Sequence, residues 1–173
     1  MQEVCQNANT LLSTGKPLEA AALYVEALRN APHDARLWAN LGNALAAAGD
    51  RHQALDAYRH AVGLCPGNAM MRYNYGAALL DENNFEEARL HLEESARLQP
   101  DFSWTFERLG TLYHQLNDKL TSLRAFDKAL TIRPDDIGLR WRRCLAELSI
   151  CYESERGLDE ARLNYESHLK SLL

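Results

Sequence analysis

Residues 35–68 read ARLWANLGNALAAAGDRHQALDAYRHAVGLCPGN, and this stretch decides the fold. It predicts a helix, a tight turn at Gly49 and a second helix closed by Pro66. When the stretch is shifted by its own length in either direction, matching residues recur, among them Gly42, Gly76 and Gly110. Such a period is typical of helical repeat arrays, which bury apolar surface between neighbouring units and have no single central core.

The stretch resembles one tetratricopeptide repeat (TPR), a helix pair of about 34 residues. The resemblance is carried by Trp38, Leu41, Gly42, Leu45, Ala54, Tyr58, Ala61 and Pro66. It implies an all-α fold, a right-handed superhelical solenoid of antiparallel helix pairs. The template predicts a degenerate repeat at 1–34, three repeats at 35–68, 69–102 and 103–136, and a TPR-like C-terminal helix pair at 137–173.

Glycine recurs in the middle of the predicted first helices, where it costs about 1 kcal/mol relative to alanine. We expect the paired second helix to approach closely at these positions. Its facing residues are also small, namely Ala20, Ala54, Ala88, Ser122, Ala27, Ala61, Ser95 and Ala129. Large residues such as Tyr58, Leu92 and Phe126 are expected to fill the gaps between them.

Turn and cap residues predict the same helix boundaries independently. Residues that tolerate the left-handed conformation follow each first helix, at Gly15, Gly49, Asn83 and Asn117. Prolines close the second helices, and Pro17 stands at a first helical position. Side chains expected to cap the following helices are Asp34, Asn68, Asp101 and Asp136.

The overall charge argues against two classes of partner. A net charge of -5 and a pI near 5.7 disfavour binding to nucleic acid or to an anionic membrane. The short run Arg140, Arg142 and Arg143 has acidic neighbours and is interpreted as a solvated or ion-paired helix face. No apolar run is long enough to span a bilayer and no signal-peptide pattern opens the chain, so we expect a cytoplasmic protein.

Reactive residues do not form a recognisable catalytic or metal pattern. The four cysteines lack the spacing of a metal or redox site, and the six histidines are scattered. The sequence shows no nucleophile–base pair, acid pair or phosphate-binding glycine loop. We therefore expect a non-catalytic module without a metal or cofactor.

First helices of stacked TPR pairs line a concave groove, which predicts where a protein or an extended peptide binds. The candidate groove residues are Asn40, Asn43, Tyr73, Asn74, Trp104, Arg108 and Trp141. Asn40 and Asn74 resemble the asparagine ladder with which glycosyltransferase TPR arrays hold peptides, since a side-chain amide offers both a donor and an acceptor to a peptide backbone.

A second resemblance concerns the same groove. Asn43, Asn74 and Arg108 match three positions of the carboxylate clamp of chaperone-binding TPR proteins, which grips a C-terminal carboxylate. Its two lysine positions hold Ala39 and Trp104. The loss of two cations should seriously weaken carboxylate capture.

The C-terminal part carries a narrower resemblance. Residues 132–172, including Arg140-Trp141, Arg143-Cys144 and Ala161-Arg162, look like the junction between TPR repeats and catalytic region in bacterial SPINDLY-type, O-linked N-acetylglucosamine transferase-like proteins. This implies that the chain is the recognition arm of a larger glycosyltransferase whose nucleotide-sugar site lies beyond Leu173.

The alternative is a self-assembly or complex-assembly adaptor without a linked enzyme, whose groove or C-terminal stripe binds another copy of the chain. Leu169, Leu172 and Leu173 continue an apolar stripe on the predicted last helix. An exposed apolar stripe favours self-association.

Overall fold

The computed structural model describes residues 2–148, with side chains described for residues 4–147. Over this range the regular secondary structure consists of helices joined by short turns. They are α1 (Gln2–Ser13), α2 (Pro17–Asn30), α3 (Ala35–Ala47), α4 (Arg51–Leu64), α5 (Ala69–Asp81), α6 (Phe85–Leu98), α7 (Ser103–Gln115), α8 (Lys119–Ile132) and α9 (Ile137–Leu148).

The chain forms two compact units, Met1–Leu98 and Gln99–Leu173. The first contains α1 to α6, and its odd-numbered helices pack against the even-numbered helices that follow them. In the second unit α7 packs against α8, and α8 packs against α9. This arrangement confirms the predicted all-α fold of paired helices, whereas the division into 34-residue repeat domains stays a prediction.

The turns after the first helices have the predicted backbone conformation. The φ angles are 76° at Gly15, 84° at Gly49, 60° at Asn83 and 59° at Asn117. Glycine adopts this left-handed region without a Cβ clash, and asparagine tolerates it better than most other residues. The turn residues therefore end these helices locally.

Three of the four predicted caps are present. Asp34 accepts a hydrogen bond from the Arg36 backbone N–H, Asn68 from that of Met71, and Asp136 from that of Leu139. These bonds satisfy backbone donors that the first helical turn leaves unpaired.

The prediction for Asp101 is wrong. Helix α7 begins at Ser103, and its N-cap residue is Phe102, which has no side-chain cap hydrogen bond. Phe102 lies one full period after Asn68, so the repeat itself places phenylalanine at the capping position. The sequence reading also missed the caps of two second helices, where Asp50 accepts from the Gln53 N–H and Asp118 from the Thr121 N–H.

The repeated glycines allow close packing of helix pairs, as predicted, but against large side chains. A Cβ added at Gly42 would lie 2.6 Å from Tyr58 Cδ1, and one at Gly110 would lie 2.7 Å from Phe126 Cδ1. At Gly76 the same atom would lie 2.8 Å from Leu92 Cγ. The glycine thus makes room for the large side chain of the partner helix.

The small residues predicted to face the first helices are buried throughout. In the first unit they join a core that includes Ala20, Tyr24 and Leu37. In the second unit Phe126, Ala129, Leu139 and Ala146 form a core cluster. Each unit therefore has apolar packing of its own.

Several predictions about the C-terminal part lie outside the described residues. These are the continuation of α9 to about Tyr152, the turn at 153–157, and the last helix with its apolar stripe. Among the cysteines, Cys144 is buried, Cys5 is half-buried and Cys65 is exposed, and all three are free thiols. Of the helices in the described range, none is long and apolar enough to cross a membrane.

Candidate peptide-binding surfaces

The first unit brings four of the predicted groove residues onto two neighbouring helices. Asn40 and Asn43 lie on α3, and Tyr73 and Asn74 lie on α5, which contacts α3. Asn43 is exposed and the other three are half-buried. We call these four residues the amide surface.

Hydrogen bonds link the amide surface to the helix pair behind it. The Tyr58 hydroxyl on α4 donates to Asn43 Oδ1 at 2.8 Å. Asn74 Nδ2 lies 3.4 Å from the same oxygen and makes a longer, weaker contact. One carbonyl oxygen therefore connects three helices, α3, α4 and α5.

The Tyr58 hydroxyl belongs to a buried residue, which is 5% exposed. Burial, with smaller contributions from Asp81 and Tyr73, raises the pKa of Tyr58 well above its ordinary value of 10.0. The hydroxyl is therefore protonated at neutral pH and can donate a hydrogen bond.

Sequence reasoning placed Tyr58 only in the packing core and missed its hydroxyl. The signal was present, because the same pair occurs one repeat earlier. The Tyr24 hydroxyl donates to Asn9 Oδ1 at 2.8 Å, and both pairs are 15 residues apart. A tyrosine on the second helix and an asparagine 15 residues before it thus predict this hydrogen bond.

In the second unit the remaining candidates lie on α7 and α9. Trp104 is 49% exposed and Trp141 is 42% exposed, while Arg108 is half-buried. The Arg133 guanidinium carbon lies 3.9 Å from the centroid of the Trp104 ring. An arginine stacked in this way covers one face of the indole by a cation–π contact. We call Trp104, Arg108 and Trp141 the tryptophan–arginine surface.

A carboxylate joins this surface to two further arginines. Glu107 on α7 is ion-paired with Arg142 on α9, and its Oε2 lies 2.5 Å from Arg133 Nη2. The Glu107 side chain is 12% exposed, so its charge is largely removed from water. The two guanidiniums compensate the lost hydration of this charge. Sequence reasoning missed this cluster because its members are far apart along the chain.

The predicted ion-paired face of α9 is confirmed. Arg143 Nε lies 2.7 Å from Asp127 Oδ1, and Arg143 Nη1 lies 2.6 Å from Glu147 Oε2. Arg140 Nη2 lies 3.8 Å from an Asp135 carboxylate oxygen. This arginine run is therefore compensated by acidic partners.

No site for metal chemistry emerges from the part of the chain that the structure describes. Histidine, cysteine, aspartate and glutamate side chains form no group of three or more there that could hold a metal ion. The described surfaces instead carry amides, aromatic rings and paired charges, which suit non-covalent recognition.

Comparison with protein-family models decides the family. The model described as tetratricopeptide repeat matches residues 5–69 and 41–101, and a second model of the same description matches residues 105–136. The chain belongs to the tetratricopeptide repeat family. Its paired helices, turn glycines and packed alanines are thus those of a TPR protein.

This TPR chain is similar to a curated relative and to two solved structures. It is 30% identical over 99 residues to the "Hsp70-Hsp90 organizing protein" of Triticum aestivum, covering 57% of this chain. It spans 17% of that relative's length. The structure "MamA 41-end from Desulfovibrio magneticus RS-1" matches with a TM-score of 0.82 at 22% identity, covering 98% of this chain and 95% of that one.

A second structure was solved with a peptide. The "First TPR of Spaghetti (RPAP3) bound to HSP90 peptide SRMEEVD" matches with a TM-score of 0.65 at 16% identity, covering 67% of this chain and 92% of that one. At these identities the two structures establish the shared fold alone, and they confirm the predicted TPR fold class. The resemblance of residues 132–172 to a transferase junction finds no support among these proteins and stays a prediction.

Proposed function

We propose that this TPR chain is a protein- and peptide-binding scaffold that uses the exposed side chains of its first helices. The observation that carries the proposal is the amide surface, where Asn43 and Asn74 meet across two successive first helices. The solved TPR neighbour described as bound to an HSP90 peptide supports this class of function.

The two surfaces offer different chemistry to a ligand. Asn40, Asn43, Tyr73 and Asn74 supply neutral donors, acceptors and one aromatic ring. Trp104 and Trp141 supply exposed aromatic area next to Arg108, and large aromatics are frequent anchors of protein interfaces.

Carboxylate capture is a weaker candidate than recognition of a peptide backbone. The clamp position held by Ala39 is apolar and 7% exposed, and the other lysine position holds Trp104. The amide surface therefore lacks the cations that make a charge-assisted carboxylate site strong.

The test is selection of short peptides from a phage-displayed random library. The wild-type chain is compared with a variant that carries Asn40→Ala, Asn74→Ala and Trp104→Ala. We expect peptides selected on the wild type to lose at least about ten-fold in affinity on this variant, roughly 1.4 kcal/mol.

A matched control carries Asn30→Ala, His52→Ala and Leu120→Ala. These residues are exposed on the second helices α2, α4 and α8. Equal circular dichroism spectra would show that both variants fold. Equal affinity of all three proteins for the selected peptides would place binding elsewhere and reject the proposal.

The link to an enzyme is a separate hypothesis. We infer that the scaffold serves as the recognition arm of a larger bacterial O-linked N-acetylglucosamine transferase-like protein in the cytoplasm, on the resemblance of residues 132–172. A complete gene that encodes these repeats without a catalytic region would reject it.

The alternative function is assembly through the apolar stripe at Leu169, Leu172 and Leu173, which lies outside the described residues. Sedimentation that shows only monomer at high concentration would reject self-association.

A further inference from the structure

The amide surface has a fixed hydrogen-bonding direction. Asn43 Oδ1 faces the Tyr58 hydroxyl at 2.8 Å and Asn74 Nδ2 at 3.4 Å. A side-chain amide has one carbonyl acceptor and one NH2 group with two donors. The groups left for a ligand are therefore the Asn43 NH2 group, the second N–H of Asn74 and the Asn74 carbonyl oxygen.

Rotation of the Asn43 amide by half a turn would remove this arrangement. It would place the Asn43 NH2 group against the Asn74 NH2 group, so that two donors would face each other. It would also deprive the Tyr58 hydroxyl, whose residue is 5% exposed, of its hydrogen-bond acceptor, which is unfavourable for a polar group largely removed from water. The Tyr58 hydroxyl thus holds one of the two orientations.

We propose that Tyr58 is a positioning residue that fixes the Asn43–Asn74 amide pair, so that the Asn43 NH2 group donates a hydrogen bond to, and the Asn74 C=O group accepts one from, the main chain of an extended peptide. The inference rests on the proposed function and names the part of the ligand that the amide surface recognises. Tyr58 acts through Asn43 and does not itself contact the peptide.

Main-chain recognition follows from the chemistry of the pair. Each peptide group carries one N–H and one C=O, whatever its side chain. Neutral amides add no charge to the contact, so affinity through this pair is expected to depend little on salt, in contrast to ion pairs. The ligand at this position is thus an extended peptide read by its backbone.

The first arm of the test uses the protein alone. In Tyr58→Phe the NMR signals of the Asn43 and Asn74 side-chain amides should both shift, because the common acceptor loses its strongest donor. Tyr24→Phe is the matched control, since it removes the equivalent hydrogen bond to Asn9 and leaves the amide surface intact. Unchanged Asn43 and Asn74 signals in Tyr58→Phe would overturn the inference.

The second arm measures binding of one peptide selected on the wild type. We expect Tyr58→Phe to weaken it about ten-fold, which corresponds to about 1.4 kcal/mol, and Tyr24→Phe to leave it within about two-fold. Methylation of single backbone nitrogens should identify one peptide N–H whose loss weakens binding to the wild type but not to Asn74→Ala. Equal affinities of the wild type and Tyr58→Phe would overturn the positioning role.

The two arms separate this inference from the proposed function. If no peptide is selected but the amide signals shift as expected, the peptide-binding function fails while the orientation by Tyr58 stands. If a peptide binds and depends on Asn40, Asn74 and Trp104 but not on Tyr58, the function stands and the positioning role fails.

Discussion

Two junctions between successive first helices, one in each unit, are held by different kinds of side-chain contact. Between α3 and α5, Asn43 and Asn74 meet through a long amide contact at 3.4 Å. Between α7 and α9, Glu107 and Arg142 form an ion pair, and Arg133 adds a second guanidinium to the same carboxylate. In both units the TPR fold brings side chains of successive first helices together, but it does not dictate whether those side chains are neutral or charged.

A second contact, in the loops between repeats, also keeps its position while the residue type changes. The proline carbonyl in the loop accepts a hydrogen bond from a side chain six residues later, in Trp38 to Pro32, Arg72 to Pro66 and Arg140 to Pro134. An indole and two guanidiniums thus serve one position. The residue at the equivalent position of the remaining repeat is Phe106, which has no polar side-chain donor. The repeats therefore share the position of this hydrogen bond, while the side chain that donates it varies.

The largest expected effect tests whether the two units share their core packing despite different surfaces. Gly42→Leu and Gly110→Leu should each lower the free energy of unfolding by about 3 kcal/mol, because the new side chain would overlap the Tyr58 or Phe126 ring. Urea denaturation followed by circular dichroism measures this.

Gly63→Ala is the control for both glycine variants. A Cβ added at Gly63 would meet nothing within 4 Å, so this change should leave stability unchanged or raise it by up to about 1 kcal/mol. A loss in only one of the two leucine variants would show that the cores differ as the surfaces do.

A smaller expected effect is a difference in unfolding free energy between variants of the two surfaces. Glu107→Ala should lower the free energy of unfolding by about 2 kcal/mol, since it leaves two guanidiniums without their shared carboxylate. Asn43→Ala should cost about 1 kcal/mol, because only neutral hydrogen bonds are lost.

The ionic contribution should also depend on salt. Added sodium chloride is expected to reduce the loss in Glu107→Ala and to leave that of Asn43→Ala unchanged, because salt screens charges. Denaturation curves at low and high salt measure both losses. Equal losses with the same salt dependence would refute the distinction between the two junctions.

The smallest expected effect is a pH dependence confined to the first unit. His91 on α6 contacts the Tyr75 ring, and its Nδ1 lies 3.4 Å from Arg72 Nη1. Burial, and then the charge of Arg72, lower the pKa of His91 below its ordinary 6.5, while Glu87 opposes this shift. The unfolded chain therefore binds a proton more readily, and the His91 contribution to stability is lost as pH falls below that value.

His91→Ala should remove this part of the pH dependence. Alanine already occupies the equivalent positions Ala57 and Ala125, so the change creates a residue that the repeat accommodates. The measurement compares unfolding free energies of both proteins at pH about 7.5 and about 5, on either side of the ordinary histidine pKa. An identical decrease in the two proteins would exclude His91 as its cause.

The sequence predicted that the paired helix approaches closely at the repeated glycines, but it did not predict which side chain the glycines contact. The repeated small residues indicated that the helices approach closely. The glycines of the first helices and the small residues of the second helices are indeed buried. Which side chain meets Gly42 depends on the stagger of two helices, and the structure shows that it is the Tyr58 ring. The error at Asp101 has a local cause, because an acidic residue one position early resembled a cap.

Local chemistry along the chain determined most of the helix ends. Periodicity, the left-handed turns at Asn83 and Asn117 and caps such as Asp34 act within a few residues, so the order of amino acids records them directly. The partners within the candidate surfaces were decided only by tertiary structure. Asn43 and Asn74 are 31 residues apart and Glu107 and Arg142 are 35 apart, so each pair meets only after packing has placed two separate helices side by side.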